Sequence, residues 1–267
     1  MANPPMPQPT TTPQRSDPIR ELFYKPLEAI DMVSNWLFFL AAFLSFLALQ
    51  YDAKVDPKGY NNVQMAFIAT AIVLFIFGQA TKLHFWPRSE KPRRQDFLSY
   101  GLGTNLTHIR TSGYYNNNET DPIRRTGAAV LENTLFTTTV VRKMLKWVRT
   151  LTLGYVIAWL CFLSERTTDL GWIAVAAQVL FSEQLVSRWL RMEWLRSKTE
   201  NIHQSLLSVF RSGATPAAME PHVWEAFSEY ESAKTNAGIL TSERIFEKIN
   251  PVLSVEWNQI KTSANIL

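Results

Sequence analysis

A polar segment in the middle of the chain carries the side chains with the clearest binding chemistry. The sequence GLGT places Gly101 and Gly103 where backbone N–H groups could approach a phosphate. Three cations close by in sequence, Arg110, Arg124 and Arg125, could neutralise its charge. A turn in which the glycines supply positive φ explains the same pattern without a ligand. Both interpretations remain open.

The same segment contains the turn-forming stretch YYNNNETDP. Asn and Asp side chains cap and turn the backbone, while Tyr114 and Tyr115 offer flat contact surface. Such a turn either packs against the rest of the protein or binds a partner, and the sequence slightly favours packing.

Catalytic and metal-binding patterns are missing from the sequence. The four histidines are far apart, and no nucleophile elbow, Walker loop or paired-carboxylate signature is present. Cys161 is the single cysteine, which excludes an intramolecular disulfide and a cysteine-based zinc site. We therefore expect no enzymatic activity, no metal site and no cofactor.

Two long uncharged segments predict membrane helices. Residues 32–51 and 59–81 contain no Asp, Glu, Lys or Arg. Uncharged apolar segments of about 20 residues match the ~30 Å hydrocarbon core of a bilayer. The lipid bilayer is therefore the first expected partner, and these two segments form the first predicted hairpin.

Two shorter apolar segments, 150–164 and 170–182, predict a second hairpin. Each reaches spanning length only if Arg and Lys at its ends extend towards the membrane surface. The alternative is a hairpin that lies on or partly in the membrane. Gln178, Ser182 and Glu183 in the last segment are candidate pore-lining residues, although hydrogen bonding between helices is a common role for such side chains.

The distribution of positive charge orients the predicted helices. Twelve Lys and Arg lie between residues 82 and 149 and five more between 188 and 211, whereas the two short connections on the other side carry few. The positive-inside rule therefore places both termini and the central loop in the cytoplasm.

A basic amphipathic helix is predicted over residues 131–150, directly before the third apolar segment. Such a helix would lie along the inner leaflet, where each cation near anionic lipid contributes ~1 kcal/mol. An ordinary helix whose apolar stripe packs on its neighbours explains the pattern equally well. The cations concerned are Arg142, Lys143, Lys146 and Arg149.

The sequence thus predicts an all-α membrane protein with two transmembrane helical hairpins, a cytosolic loop and a cytosolic helical tail. Pro87 and Pro92 are expected to end the second helix soon after Trp86. In chain order, the predicted parts are a disordered tail (1–25), the first hairpin (26–86), the cytosolic loop (87–130), the second hairpin with cytosolic helical extensions (131–200) and the helical tail (201–267).

This arrangement, with the stretches PRRQDFLSYGLGT, SGYYNNNET, LENTLFTTTVVRKML and LTSERIFEKINPVLSVEW, resembles the four-helix pore-forming effector family linked to bacterial anti-phage signalling systems. The resemblance covers residues 30–257. It implies an effector in the bacterial inner membrane that senses a cytosolic signal, forms homo-oligomers and permeabilises the membrane. The expected signal is a nucleotide second messenger or a protein partner in the cytosol, and no nucleic acid is expected. The alternative is a membrane-anchored scaffold whose loop and tail bind a protein partner.

Reporter fusions test the predicted topology. Because positive charge is concentrated on one side, fusions at Lys91 and after Leu267 should read cytoplasmic, while a fusion at Pro57 should read external. A periplasmic signal at Lys91 would contradict the whole arrangement.

Overall fold

The architecture is all-α, as predicted, in a computed structural model that describes residues 16–51, 54–164 and 183–267. Among these residues, extended pairing is limited to one isolated antiparallel bridge between Ser16 and Ser112. Short π-helical turns at Arg20–Tyr24, Thr81–Phe85 and Glu183–Ser187 precede α1, α3 and α5. The helices are α1 (Lys25–Gln50), α2 (Pro57–Ala80), α3 (Trp86–Leu102), α4 (Pro122–Ser164), α5 (Arg188–Arg211), α6 (Pro216–Ala237) and α7 (Glu243–Ser263).

Two helical stretches, Arg20–Ala48 and Pro57–Leu102, are long and apolar enough to cross a membrane. Helices α1 and α2 pack along each other. In the most apolar 18-residue part of each stretch, however, only 17 % and 6 % of the residues are buried. Large side chains such as Trp36, Phe43 and Met65 consequently point away from the protein. This exposure distinguishes the pair from core helices of a soluble domain and suits contact with lipid.

Helix α2 continues through a π turn into α3, so the prediction that Pro87 and Pro92 end it is wrong. In the π turn the Trp86 N–H donates to Thr81 O, five residues earlier in the chain. The hydrogen-bonding pattern of the helix therefore changes directly before Pro87, which has no N–H to donate. Pro92 lies inside α3, where proline costs ~3 kcal/mol. The buried side chains of α3, such as Phe97, offset that cost.

Helix α4 runs for 43 residues from a buried N-terminal half to an apolar C-terminal half. The predicted apolar segment 150–164 is its end, and Leu153, Ile157 and Leu160 there are exposed. The partner segment 170–182, on which the second hairpin depends, lies outside the described residues.

The first half of α4 is the centre of a helical body that also contains α3, α5, α6 and α7. Helices α5 and α6 pack on α4 and on each other, and α3 and α7 pack on α4. One large apolar core joins these helices, and it includes Leu131, Leu206, Phe210, Val223, Leu253 and Trp257. At Gly127, helix α4 lies close to α5 and α6, because a Cβ added to this glycine would be 2.9 Å from Val223 and 3.0 Å from Phe210.

Residues 16–25 differ from the predicted disordered tail. Ile19 and Leu27 are fully buried, and helical structure begins at Pro18. The sequence-based interpretation missed this because the partners of these residues lie on α3, α6 and α7, far along the chain.

A single methyl group tests the packing at the centre of the body. Gly127→Ala gains ~1 kcal/mol of helix propensity but should lose more through overpacking against rigid buried side chains, about 1–3 kcal/mol. We expect the unfolding temperature of the full chain in detergent to fall by roughly 2–6 °C. Gly154→Ala is the matched control on the same helix, because its Cβ would meet no atom within 4 Å. Equal unfolding temperatures for the two variants would contradict the packing described.

Candidate functional site

A cavity of about 980 Å³ lies between the N-terminal segment and the helical body. We call residues 16–28 the strap. The strap forms one wall, and α3, α4, α6 and the start of α7 form the others. The volume lies at the upper end of the range for small-molecule sites, and the lining mixes charged, hydroxyl and aromatic side chains.

The first link between strap and body is an ion pair between Asp17 and Arg93. Nη2 of Arg93 donates to both carboxylate oxygens of Asp17, at 3.0 and 2.8 Å, and the Arg20 N–H donates to Oδ1 at 3.0 Å. The Arg93 guanidinium also lies over the rings of Tyr24 and Tyr114, 5.3 and 4.8 Å from their centroids. These contacts hold the guanidinium between strap, α3 and the loop after it.

The second link is a chain of polar contacts through Glu90. The Tyr24 hydroxyl donates to Glu90 Oε1 at 2.8 Å, and Lys234 Nζ lies 3.0 Å from Glu90 Oε2 and 3.3 Å from Glu231. Burial alone lowers the pKa of Lys234, but Glu90 and Glu231 outweigh burial and raise it well above the usual value. Lys234 therefore stays charged, and Glu90 ties the strap to α6.

The third link is made by Arg20. Its Nη2 lies 2.8 Å from Glu28 and 2.6 Å from Glu243 at the start of α7. Together the three links connect the strap to α3, α6 and α7, which are the helices that enclose the cavity.

Three buried N–H donors on side chains of the cavity lining have no acceptor among the described residues. They are Arg20 Nε, Arg93 Nη1 and the Trp86 indole N–H. Each atom has almost no accessible surface, so these donors are covered by protein and do not face the open space of the cavity.

The predicted phosphate-binding residues lie at the far end of α3. Gly101 is helical and buried, its carbonyl accepts from Arg125 Nε at 3.0 Å, and an added Cβ would be 2.4 Å from Thr126. Gly103 ends α3 with φ of 70°, which fits the ligand-free explanation of this glycine. The structure brings Gly101 and Arg125 together, but neither lines the cavity.

The other two predicted cations also have partners within the protein. Arg124 pairs with Glu119 at 2.9 Å and donates to the carbonyl of Asn265 at 2.6 Å. Arg110 is partly exposed and donates to Asn105 at 2.8 Å.

The turn-forming stretch packs, which is the outcome that the sequence slightly favoured. The Asn116 carbonyl accepts a hydrogen bond from the Trp257 indole at 2.9 Å, and the backbone N–H of Asn116 donates to the Glu132 carboxylate at 3.0 Å. Tyr115 stacks on Tyr100 with centroids 4.4 Å apart. Tyr114 and Tyr115 also line the cavity, so they are the two predicted binding residues that reach it.

The predicted basic residues occupy an exposed face of α4. Arg142 donates to Glu200 at 3.1 Å and Arg149 to Glu193 at 2.8 Å, both on α5. Hydrogen bonding from Arg149 lowers the pKa of Glu193 to about 2. Lys143 and Lys146 are also exposed, so this face of α4 remains basic, while Val141 and Leu145 of the same helix pack in the core.

The predicted pore-lining residues Gln178 and Ser182 lie outside the described residues, as does the side chain of Glu183. In the part of the chain that the structure describes, no group of three or more His, Cys, Asp or Glu side chains could hold a metal ion.

No family model, curated protein or solved structure matches the chain. Its function has to be inferred from its own contacts and charges. The sequence analysis did not predict the charged residues that line the cavity, because no local spacing connects them. These residues are Asp17, Arg20, Glu90, Arg93 and Lys234.

The pair Glu90 and Lys234 can be tested by a double-variant cycle. Glu90→Gln keeps the side-chain shape but removes a charge beside a buried ammonium, so it should destabilise the protein, towards the low end of ~3–5 kcal/mol because Glu231 remains. Adding Lys234→Met should recover most of that loss. The measurement is thermal or denaturant unfolding of the full chain, and additive losses would contradict a direct interaction.

Proposed function

We propose that the chain is an inner-membrane effector that senses a cytosolic signal and oligomerises to permeabilise the membrane in anti-phage defence. The helical body is its cytosolic part, and the exposed apolar helices are its membrane part. The role in phage defence is carried by the sequence resemblance, whereas the contacts of the strap support the coupling between sensing and the membrane.

One observation carries the coupling. The strap is a wall of the cavity and is also the beginning of the first membrane helix, because the π turn Arg20–Tyr24 leads into α1 at Lys25 without a break. In the same way α2 continues into α3, which carries Glu90 and Arg93. A change of occupancy in the cavity would therefore act on both membrane helices through helical backbone.

Oligomerisation is proposed because the four predicted membrane helices of one protomer are too few to enclose a channel. The outward apolar faces of α1 and α2 can contact either lipid or another copy. Gln178, Ser182 and Glu183 remain the proposed pore-lining residues. The activating signal is proposed to be a nucleotide second messenger or a protein partner that meets the body in the cytosol.

The exposed basic face of α4 supports an orientation with the body at the inner leaflet. Trp147 is 71 % exposed and lies beside Lys146. An exposed Trp next to Lys and Arg, directly before the apolar end of the helix, is typical of a membrane interface.

The scaffold alternative is favoured by one feature of α7. Val252 and Val255 are 71 % and 59 % exposed on the outer face of this helix, which packs mainly on α4. Exposed apolar side chains on an amphipathic helix are a common docking surface for a partner helix.

Induced expression in bacteria with a membrane-potential dye tests the effector proposal. Asp17→Asn removes the charge that holds the strap to Arg93, so it should shift the equilibrium towards the active state and depolarise cells more readily than the parent chain. Glu220→Gln is the matched control, because this carboxylate is exposed and is not part of the cavity lining. It should behave as the parent does.

A second experiment adds Gln178→Leu and Glu183→Leu to the Asp17→Asn chain. These substitutions should restore the membrane potential of the cells without reducing the amount of protein in the membrane. Depolarisation that persists in this chain would exclude these residues from the conduction path. If neither the Asp17→Asn chain nor the parent chain depolarises cells, the scaffold alternative is favoured.

A further inference from the structure

A row of basic side chains runs along the outer face of α3 and the π turn before it. We call this row the basic stripe and define it as His84, Arg88, Lys91 and Arg94, all of which are exposed. Intervals of three or four residues place them on one side of the helix, opposite the side that buries Phe97. The protein itself leaves this side of the helix open in the part of the chain that the structure describes.

The charges of the stripe are not balanced within the described residues. Nη1 of Arg88 donates to Nε2 of His84 at 2.9 Å, a contact that brings no negative charge. Lys91 and Arg94 form no ion pair with any carboxylate of the described ranges. The stripe therefore presents positive charge that no part of the described body neutralises.

This one-signed face differs from an ordinary solvated helix surface. Such surfaces mix the two signs of charge, and α7 shows that pattern, with cations and carboxylates exposed along its length. The exposed charges of α7 are Arg244, Glu247, Lys248 and Glu256. The uniform sign of the stripe on α3 indicates an anionic partner outside the protein.

The stripe begins where the exposed apolar residues of the preceding helix end. Phe75 and Ile76 of α2 and Leu83 of the π turn are exposed, and the helix continues from them into α3 without a break. At a rise of 1.5 Å per residue, Arg88 and Lys91 lie roughly 7.5 and 12 Å beyond Leu83 along the helix axis. The basic stripe thus directly continues the apolar surface that suits lipid.

These distances match the headgroup layer of a bilayer, which extends about 5–7 Å beyond the hydrocarbon on each side. The Cα–Cβ bonds of a helix tilt towards its N-terminus, and the N-terminus of α3 is the end that adjoins α2. The long side chains of Arg88 and Lys91 therefore extend back towards the apolar part. Arg94, roughly 16.5 Å beyond Leu83, acts over a distance comparable to the Debye length of ~8 Å.

We propose that the basic stripe binds the headgroup phosphates of anionic phospholipids. Arg88 and Lys91 contact the phosphates, and Arg94 adds attraction at longer range. The inference rests on the part of the proposed function that places α1 and α2 in a bilayer. It deepens that function by naming the lipid class and the helix that meets it.

The same helix connects the lipid contact to the strap. The inner side of α3 carries Glu90 and Arg93, which hold Tyr24 and Asp17 of the strap. One continuous helix therefore bears the headgroup contact on one side and two of the three strap links on the other. Anionic lipid would set the depth at which α3 holds the strap.

Lipid titrations of the purified full chain test the lipid class. The delipidated chain in a non-ionic detergent is titrated with phosphatidylglycerol or with phosphatidylcholine of the same acyl chains. Native mass spectrometry then gives the dissociation constant of the first bound lipid. Phosphatidylglycerol should bind at least tenfold more tightly than phosphatidylcholine, and equal affinities would overturn the proposal.

Variants show whether the stripe is the binding site. Arg88→Gln with Lys91→Gln should weaken phosphatidylglycerol binding at least tenfold, because each cation near the lipid contributes a factor of about five. Arg94→Gln alone should weaken it less than threefold. The matched control is Lys198→Gln with Lys248→Gln, which removes the same charge from exposed positions of α5 and α7 and should leave binding unchanged. Equal weakening in the stripe and control pairs would overturn the proposal.

A charge-preserving pair separates charge from packing. Arg88→Lys with Lys91→Arg keeps both positive charges and should bind phosphatidylglycerol within twofold of the parent chain. The unfolding temperature identifies any variant that has lost its fold. Binding that is lost in a folded, charge-preserving chain would contradict an electrostatic contact with the headgroup.

A nucleic acid is the other polyanion that a basic stripe could meet. A short single-stranded DNA oligonucleotide is therefore titrated into the parent chain and into the chain with Arg88→Gln and Lys91→Gln. Absence of oligonucleotide binding is the expected result. An oligonucleotide that binds more tightly than phosphatidylglycerol and is lost in the double variant would replace the lipid proposal with a nucleic-acid surface.

The lipid contact and the pore can fail separately. A preference for phosphatidylglycerol without any depolarisation of cells would leave the lipid contact standing and remove the pore. Depolarisation by Asp17→Asn without a lipid preference would do the reverse.

Discussion

Charges that are removed from water must be matched within the protein, and this constraint determines how the parts of this chain meet. Transferring a carboxylate or ammonium into the interior costs several kcal/mol, which only an opposite charge and further hydrogen bonds can offset. Glu90 therefore has to meet Lys234, and the Tyr24 hydroxyl completes the set. One such cluster joins the strap, α3 and α6, which are separated in sequence by most of the chain.

The second constraint is the continuity of helices between the apolar part and the body. The helices do not stop where their exposed apolar residues end. Helix α2 passes through a π turn into α3, and α4 is one helix from its buried half to its exposed apolar half. Displacements in the body are therefore carried by stiff elements instead of flexible linkers.

The sequence predicted the features that depend on local pattern. Uncharged length identified α1 and α2, and three- to four-residue periodicity identified the first half of α4. The prediction failed where distant residues determine the structure. The buried contacts of Phe97 and Glu90 keep α3 helical across Pro92, and the ion pair of Asp17 with Arg93 holds residues 16–25, which were predicted to be disordered. The sequence did not predict the candidate cavity for the same reason, because the charged residues that line it come from four separate elements. Tyr114 and Tyr115 were the exception, since their turn signals are local.

The link between Glu90 and Lys234 also has a consequence during synthesis on the ribosome. Lys234 is made about 140 residues after Glu90, a delay on the order of 10 s at typical elongation rates. During that interval α1 and α2 are already synthesised, while Lys234, which balances the charge of Glu90, does not yet exist. A nascent or prematurely terminated chain would thus carry α1 and α2 with a strap that is not yet held to α6, and on the proposed function such unfinished copies would have to be removed to keep the protein inactive.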